Sequence, residues 1–208
     1  MLAPGWPAVL REGDVVLRPL RLRDANAWWE VRAANVAWLA PWEATSPDGG
    51  RPGRSFPALV RELNRQGRSG ASMPFVLEHA GRLAGQVTVG GITWGAMRSA
   101  HIGYWLDGRL AGRGLMPTAV AMVVDHCLLG VGLHRVEVNI RPENAASRRV
   151  VDKLGFREEG LRREFLHIDG GWRDHLSYAL TANDVPHGLL ARWRGVDADR
   201  GGTATFGS

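Results

Sequence analysis

The stretch GRLAGRGLMPTAV, residues 108–120, sets Gly112 and Gly114 beside Arg109 and Arg113, with no carboxylate, directly ahead of an apolar run at helical spacing. A helix start leaves about four backbone N–H groups without intrahelical partners, and the macrodipole puts roughly half a positive charge there. The segment therefore reads as an anion site. Glycines let an anion approach the backbone, and Pro117 fits the first helical turn, where its missing N–H costs nothing. Two familiar phosphate loops do not match: there is no Gly-Lys-Ser/Thr, and Pro117 stands where the dinucleotide fingerprint needs a third glycine. Taken alone, the segment suits a tight strand-to-helix turn equally well.

Outward from this loop the chain alternates between strand and helix signals. AHIGYWL (100–106) precedes it as a strand, and Leu115 to Leu129 follows as a helix. HRVEVNI (134–140) alternates almost perfectly, and ENAASRRVVDKLGF (143–156) is a helix with Asn144 as N-cap and Gly155 as its stop. Upstream, DVVLRPL (14–20) is a strand, Arg23 to Leu39 a helix, ATSPDGGRPGRS (44–55) a loop and Phe56 to Gln66 a second helix. PFVLEHAGRLAGQVTVGGITW (74–94) reads as two strands joined at residues 80–82, with Gly90, Gly91 and Gly103 hinting at a bulge. Downstream, residues 161–181 form a hairpin turning at Asp169-Gly170-Gly171. The expectation is one mixed α/β domain: a twisted central sheet of about seven strands flanked by about four helices. Residues 1–13 are an N-terminal extension, 14–184 the domain, and 185–208 a short helix with a mobile tail.

Composition narrows the function classes. The net charge of +5 comes almost wholly from arginine, since Lys153 is the only lysine. Arginine holds phosphate in a planar fork, but the cations are scattered, so a dedicated nucleic-acid stripe is not expected. No apolar run approaches the roughly 20 residues of a bilayer span, and residues 1–14 do not resemble an export signal. A cytoplasmic protein is the expectation. The single cysteine, Cys127, allows no internal disulfide or multi-cysteine metal site, and its helical face makes it core filler. No metal site is expected.

Arg109-Leu-Ala-Gly112-Arg-Gly114 resembles the R/Q-x-x-G-x-G/A loop of the GNAT N-acetyltransferase superfamily. RPENAASRRVVDKLGFREEG (141–160) is similar to that superfamily's second signature, N-x-x-S followed by K-x-G-F. The resemblance runs from Asp14 to Asp184. It narrows to the RimJ/RimL group through Gly112-Arg-Gly-Leu-Met116, Pro41-Trp42-Glu43 and Ile168-Asp-Gly-Gly-Trp172-Arg-Asp174-His175. It implies acetyl transfer from acetyl-coenzyme A to an amine, with the α-amine of a ribosomal protein's N-terminus as the expected acceptor, a transient ribosome contact and a monomer or homodimer. Two rivals stay open: acetylation of a small amine such as an antibiotic or polyamine, and a catalytically silent coenzyme A-binding or ribosome-associated module.

The resemblance also implies site roles. Arg109, Leu110, Ala111, Gly112, Arg113, Gly114 and Leu115 form the pyrophosphate loop, and Asn144 lies near the pantetheine arm. Ser147 hydrogen-bonds or protonates the coenzyme sulfur, or simply occupies the first turn of the helix capped by Asn144. Tyr104 brings a second hydroxyl near the sulfur, or packs as a buried aromatic. Trp38, Trp42, Glu43 and His101 border the acceptor. The group's proposed base falls at Leu166, where the match fails. Glu164, two residues away and so on the same strand face by period-2 alternation, is one substitute; His101, His167 or ordered water are others.

Overall fold

A computed structural model of the chain describes residues 5–49 and 55–195. The sheet has eight strands in the order β1-β2-β3-β4-β5-β6-β8-β7: β1 (Leu10–Glu12), β2 (Val15–Pro19), β3 (Ser72–His79), β4 (Arg82–Thr93), β5 (Ser99–Leu106), β6 (Arg135–Ile140), β7 (Arg157–Ile168) and β8 (Gly171–Thr181). Every neighbouring pair is antiparallel except β5 and β6. Six helices complete it: α1 (Ala25–Ala34), α2 (Val36–Leu39), α3 (Phe56–Ser69), α4 (Leu115–Asp125), α5 (Ala145–Lys153) and α6 (Leu189–Trp193). The mixed α/β architecture expected from the sequence is present. The additional strand, β1, falls within the segment read as an extension, and the tail expected after the last helix lies outside the described residues from 196 onward.

Turn chemistry fixes the hairpins. Ala80 and Gly81 have φ of 49° and 77°, and Asp169 and Gly170 have 47° and 74°. Paired left-handed residues give a two-residue loop the twist of its flanking strands. The bulge expected near Gly90 and Gly91 appears as a register shift between Gly90 and Thr93.

Helices cover both sheet faces. On one side α4 is buried along almost its whole length, from Leu115 to Val124, against Val87, Val89, Ile102, Val136, Val138 and Leu180. Cys127 lies in this core, where burial pushes its thiol pKa up to about 12. On the other side α1 and α3 bury Trp28, Val31, Phe56 and Val60 against Val76 and Leu83.

Two helices differ from expectation. The run from Leu115 continues past Asp125 as a π-helical turn, His126–Val131, closed by left-handed Gly132. The run from Arg23 divides into a 3-10 turn at Leu22–Asp24, α1 and α2. Its break is at Asn35 (φ −118°, ψ 15°), whose side chain is committed to a distant strand end.

No helix among the described residues is long and apolar enough to cross a membrane.

Candidate active site

The parallel pair creates the opening. β5 and β6 are in register only at Ser99–Arg135, Ala100–Val136 and His101–Glu137, after which the two strands separate while each runs on. Tyr104 stands on β5 beyond the last shared rung. Ser147, in the first turn of α5, faces it: the two hydroxyl oxygens are 2.7 Å apart. Ser147 reaches this position because Asn144 caps α5, its side chain accepting the Ser147 N–H at 3.0 Å. Ser147 thus belongs to the capped turn, and its hydroxyl meets that of Tyr104 at the cavity wall.

Along the loop after β5, the backbone donors are paired one by one. Asp107 N–H donates to Ala84 O, Gly108 N–H to Asn35 Oδ1, Arg109 N–H to Asp107 Oδ1, Leu110 N–H to Asp107 O and Ala111 N–H to Gly108 O. Pairing then stops. The N–H groups of Gly112, Arg113 and Gly114 have no protein acceptor among the described residues. Gly112 (φ 81°) and Gly114 (φ 78°) are left-handed, the conformation that turns successive amides outward at the start of α4. A Cβ at Gly112 would meet nothing within 4 Å, so space for a ligand is open there.

A cavity of about 460 Å3 joins these parts. It is lined by Ala111, Gly112, Gly114 and Leu115 from the loop, by Asn144 and Ser147 from α5, by Tyr104 from β5, and by Trp38 and Trp42. Arg149 and Lys153, one helical turn apart on α5, add two cations to the wall. Free amides, a helix N-terminus and two cations suit a phosphate-bearing ligand, and the apolar wall suits a thin arm leading to the hydroxyl pair.

The comparisons agree with this geometry. Residues 14–157 match the Acetyltransferase (GNAT) domain family. The chain belongs to the GNAT acetyltransferases. It is 42% identical over 178 residues, 85% of this chain and 98% of the relative, to the Bacillus subtilis protein named "Probable N-acetyltransferase YjcK". It is 28% identical over 172 residues, 82% of this chain and 89% of the relative, to the [Ribosomal protein uS5]-alanine N-acetyltransferase of Escherichia coli. The solved structure of Mycobacterium smegmatis RimJ in complex with CoA-disulfide superposes with a TM-score of 0.86 at 42% identity, covering 94% of this chain and 98% of that one. This GNAT chain is thus an acetyl-coenzyme A-dependent N-acetyltransferase.

Within this acetyltransferase the expected site residues are only partly assembled. Leu110 and Arg113 do not line the cavity, and Arg109 turns back onto Asp107, its Nε 3.0 Å from both carboxylate oxygens. Trp38 and Trp42 are walls of the cavity. Glu43 instead borders an adjoining one of about 430 Å3 with Trp28, Trp29, Arg32 and Trp105, where it is paired with Arg32. His101 sits at the start of β5 against Gly90 and Gly91, below the separation of the strands and outside both cavities. Glu164 also lies outside both: it is left-handed (φ 47°) in a bulge between Arg162 and Leu166, and its N–H donates to Asp174 Oδ1 at 2.7 Å. The bulge breaks the period-2 count that placed it beside Leu166. His167 bonds Thr45 Oγ1 at 2.7 Å, tying the β7–β8 hairpin to the segment after Trp42.

Burial holds the Tyr104 phenol above its ordinary pKa, with the Ser147 hydrogen bond acting weakly the other way. Tyr104 therefore stays protonated at neutral pH and is a donor. Four further positions stand at the cavity or at the loop before it. Arg149 and Lys153 were legible as an i, i+4 pair on one helix face; Asn35 and Asp107 were not, being 72 residues apart with both side chains buried.

Proposed function

We propose that this chain moves the acetyl group of acetyl-coenzyme A directly to the α-amine of a protein N-terminus. The observation that carries the reading is the Tyr104–Ser147 hydroxyl pair, set in the gap between β5 and β6 and in the same cavity as Gly112 and Gly114, whose amides are free. Bound acetyl-coenzyme A supplies a thioester whose carbon accepts the amine and whose sulfur must leave with a proton. The Gly112 and Gly114 amides, with Arg149 and Lys153, would hold the phosphates, and Asn144 would border the arm. Ser147 would hydrogen-bond the departing sulfur, Tyr104, kept protonated by burial, would hold that hydroxyl in place, and the proton lost by the amine, passed through water, would balance the one the thiolate takes up. Donors fixed before the reaction stabilise developing charge without reorganising during it.

The acceptor follows from proton demand and from the walls. A protein α-amine with pKa near 8 is neutral in about one molecule in ten at pH 7, whereas a lysine amine is neutral in fewer than about one in a thousand. An α-amine therefore reacts with water alone as the proton acceptor, and neither cavity holds Glu164. Trp38 and Trp42, which wall the cavity, suit a chain terminus entering between them. Similarity to the uS5-alanine N-acetyltransferase supports the same acceptor class.

The test is incubation with acetyl-coenzyme A and a library of peptides with free N-termini, beside a panel of small amines, with product masses recorded. Acetylated peptide termini are expected. Transfer to small amines with untouched peptides would overturn the acceptor.

A further inference from the structure

We propose that Asn35 is a positioning residue for coenzyme binding: its buried amide clamps Asp107 and Gly108, and thereby sets where the free amides of residues 112–114 stand over the cavity. The inference rests on reading that loop as the coenzyme phosphate site. Asn35 is 3% exposed and Asp107 4%. Asn35 Nδ2 donates to Val31 O at 2.9 Å and to Asp107 Oδ1 at 3.1 Å, and its Oδ1 accepts the Gly108 N–H at 2.8 Å. Both amide protons and one oxygen lone pair are used, so the side chain has one orientation.

The clamp reaches the site through Asp107. Its carboxylate also accepts the Arg109 N–H at 3.1 Å and holds the Arg109 guanidinium, Nη2 lying 2.6 Å away. Asn35 and Asp107 thus bind the backbone at 108 and 109, directly ahead of the unpaired donors. Three residues after Asn35, Trp38 Nε1 donates to Leu106 O at 3.2 Å, and its ring packs on Gly108, where an added Cβ would lie 3.1 Å from it. The same short helix leads on to Trp42. One buried side chain therefore fixes the coenzyme loop relative to the aromatic wall, which explains why the first long helix breaks at Asn35 instead of continuing. A fully satisfied buried polar cluster acts as a unit, and losing one member leaves the others unpaired.

Asn35→Asp tests the clamp, because it exchanges the donor facing Asp107 for a second carboxylate. Coenzyme A affinity is measured by calorimetry on wild type and variant at pH 8 and pH 5.5, and the ratio of their Kd values is read. Two carboxylates in contact cannot both ionise cheaply, so a raised pKa returns a donor proton as pH falls. The expected ratio is about tenfold or more at pH 8, falling to about twofold at pH 5.5. The exchange variant, Asn35→Asp with Asp107→Asn, restores a neutral donor opposite a carboxylate but leaves Val31 O without its donor and Arg109 without its ion pair, so its Kd is expected about threefold or more below that of the single variant at pH 8, short of wild type; no recovery overturns the proposal. A single-variant ratio that is flat with pH, or under twofold at pH 8, overturns the proposal. If the single variant does not fold, Asn35→Ala, which removes the amide without adding charge, decides: coenzyme A bound about threefold or more weakly than by wild type supports the clamp, and unchanged affinity overturns it. Wild type that binds no coenzyme A would instead sink the assignment of the loop, a distinct result.

Discussion

Gly112 separates backbone strain from charge as the reason the loop grips its ligand. Replacing it with alanine imposes a left-handed conformation at φ 81°, about 1–2 kcal/mol of strain, with no steric contact, since nothing lies within 4 Å of the new Cβ. Aspartate tolerates that conformation better than alanine. Strain alone therefore ranks Gly112→Asp at or above Gly112→Ala in both stability and affinity. Charge ranks them oppositely. A carboxylate about 5 Å from a phosphoryl oxygen, at an effective dielectric near 20, costs about 3 kcal/mol per charge pair, and solvent at this exposed position reduces that to about 1–2 kcal/mol. Coenzyme A should then bind Gly112→Asp about 5–30-fold more weakly than Gly112→Ala. Calorimetric titration at 0.05 M and 1 M NaCl reads both quantities. At 1 M the Debye length is about 3 Å, and the gap between the variants should shrink to about twofold. Equal affinities at low salt, or a gap indifferent to salt, would refute the placement of phosphate at these amides.

The other expectations are shorter. Ser147→Ala should lower kcat about 10–100-fold while leaving the acetyl-coenzyme A Kd within about threefold, and an unchanged kcat would leave Ser147 only its place in the α5 turn. Glu164→Gln should leave the pH–rate profile of kcat/KM unaltered; a lost acidic limb would bring Glu164 into the chemistry. Arg18 is buried, bonds Asp24 at 2.7 and 2.9 Å and is also paired with Glu78, so Arg18→Met should cost about 3–5 kcal/mol in urea unfolding by stranding two carboxylates. For Asp24 burial works to raise the pKa, but the Arg18 bonds and the Arg21 amide hold it below the ordinary value. Its contribution to stability is therefore present above about pH 4 and is lost as pH falls through the folded value, so in the same unfolding series at pH 3–6 stability should fall more steeply in wild type than in Asp24→Asn, where Asp107, Glu159 and Asp184 still contribute.

What the sequence made legible were features repeated locally. Alternation in residues 134–140, the Asn144 cap and the Asp169-Gly170 turn each need only near neighbours, and each appears where expected. The open, amide-rich turn ahead of α4 was readable because glycine reports on backbone access. Its internal economy was not. Arg109 reads from composition as a free cation, but the carboxylate of Asp107, two residues earlier, holds it. Glu164 shows the same limit: period-2 counting assumes a regular strand, and one left-handed residue cancels it. The split at Asn35 depends on a partner 72 residues away, which no window of helical periodicity contains.

Three shared rungs are all that join β5 to β6. The sheet is in effect two blades, β1 to β5 and β6 to β8, riveted at one end and spread at the other, with α4 bracing one side. A molecule lying in the spread touches both blades and does the joining that the missing rungs would have done. Heat resistance should accordingly track occupancy, with saturation at about a hundred times Kd adding about 2.7 kcal/mol, and the empty enzyme should open first along this seam.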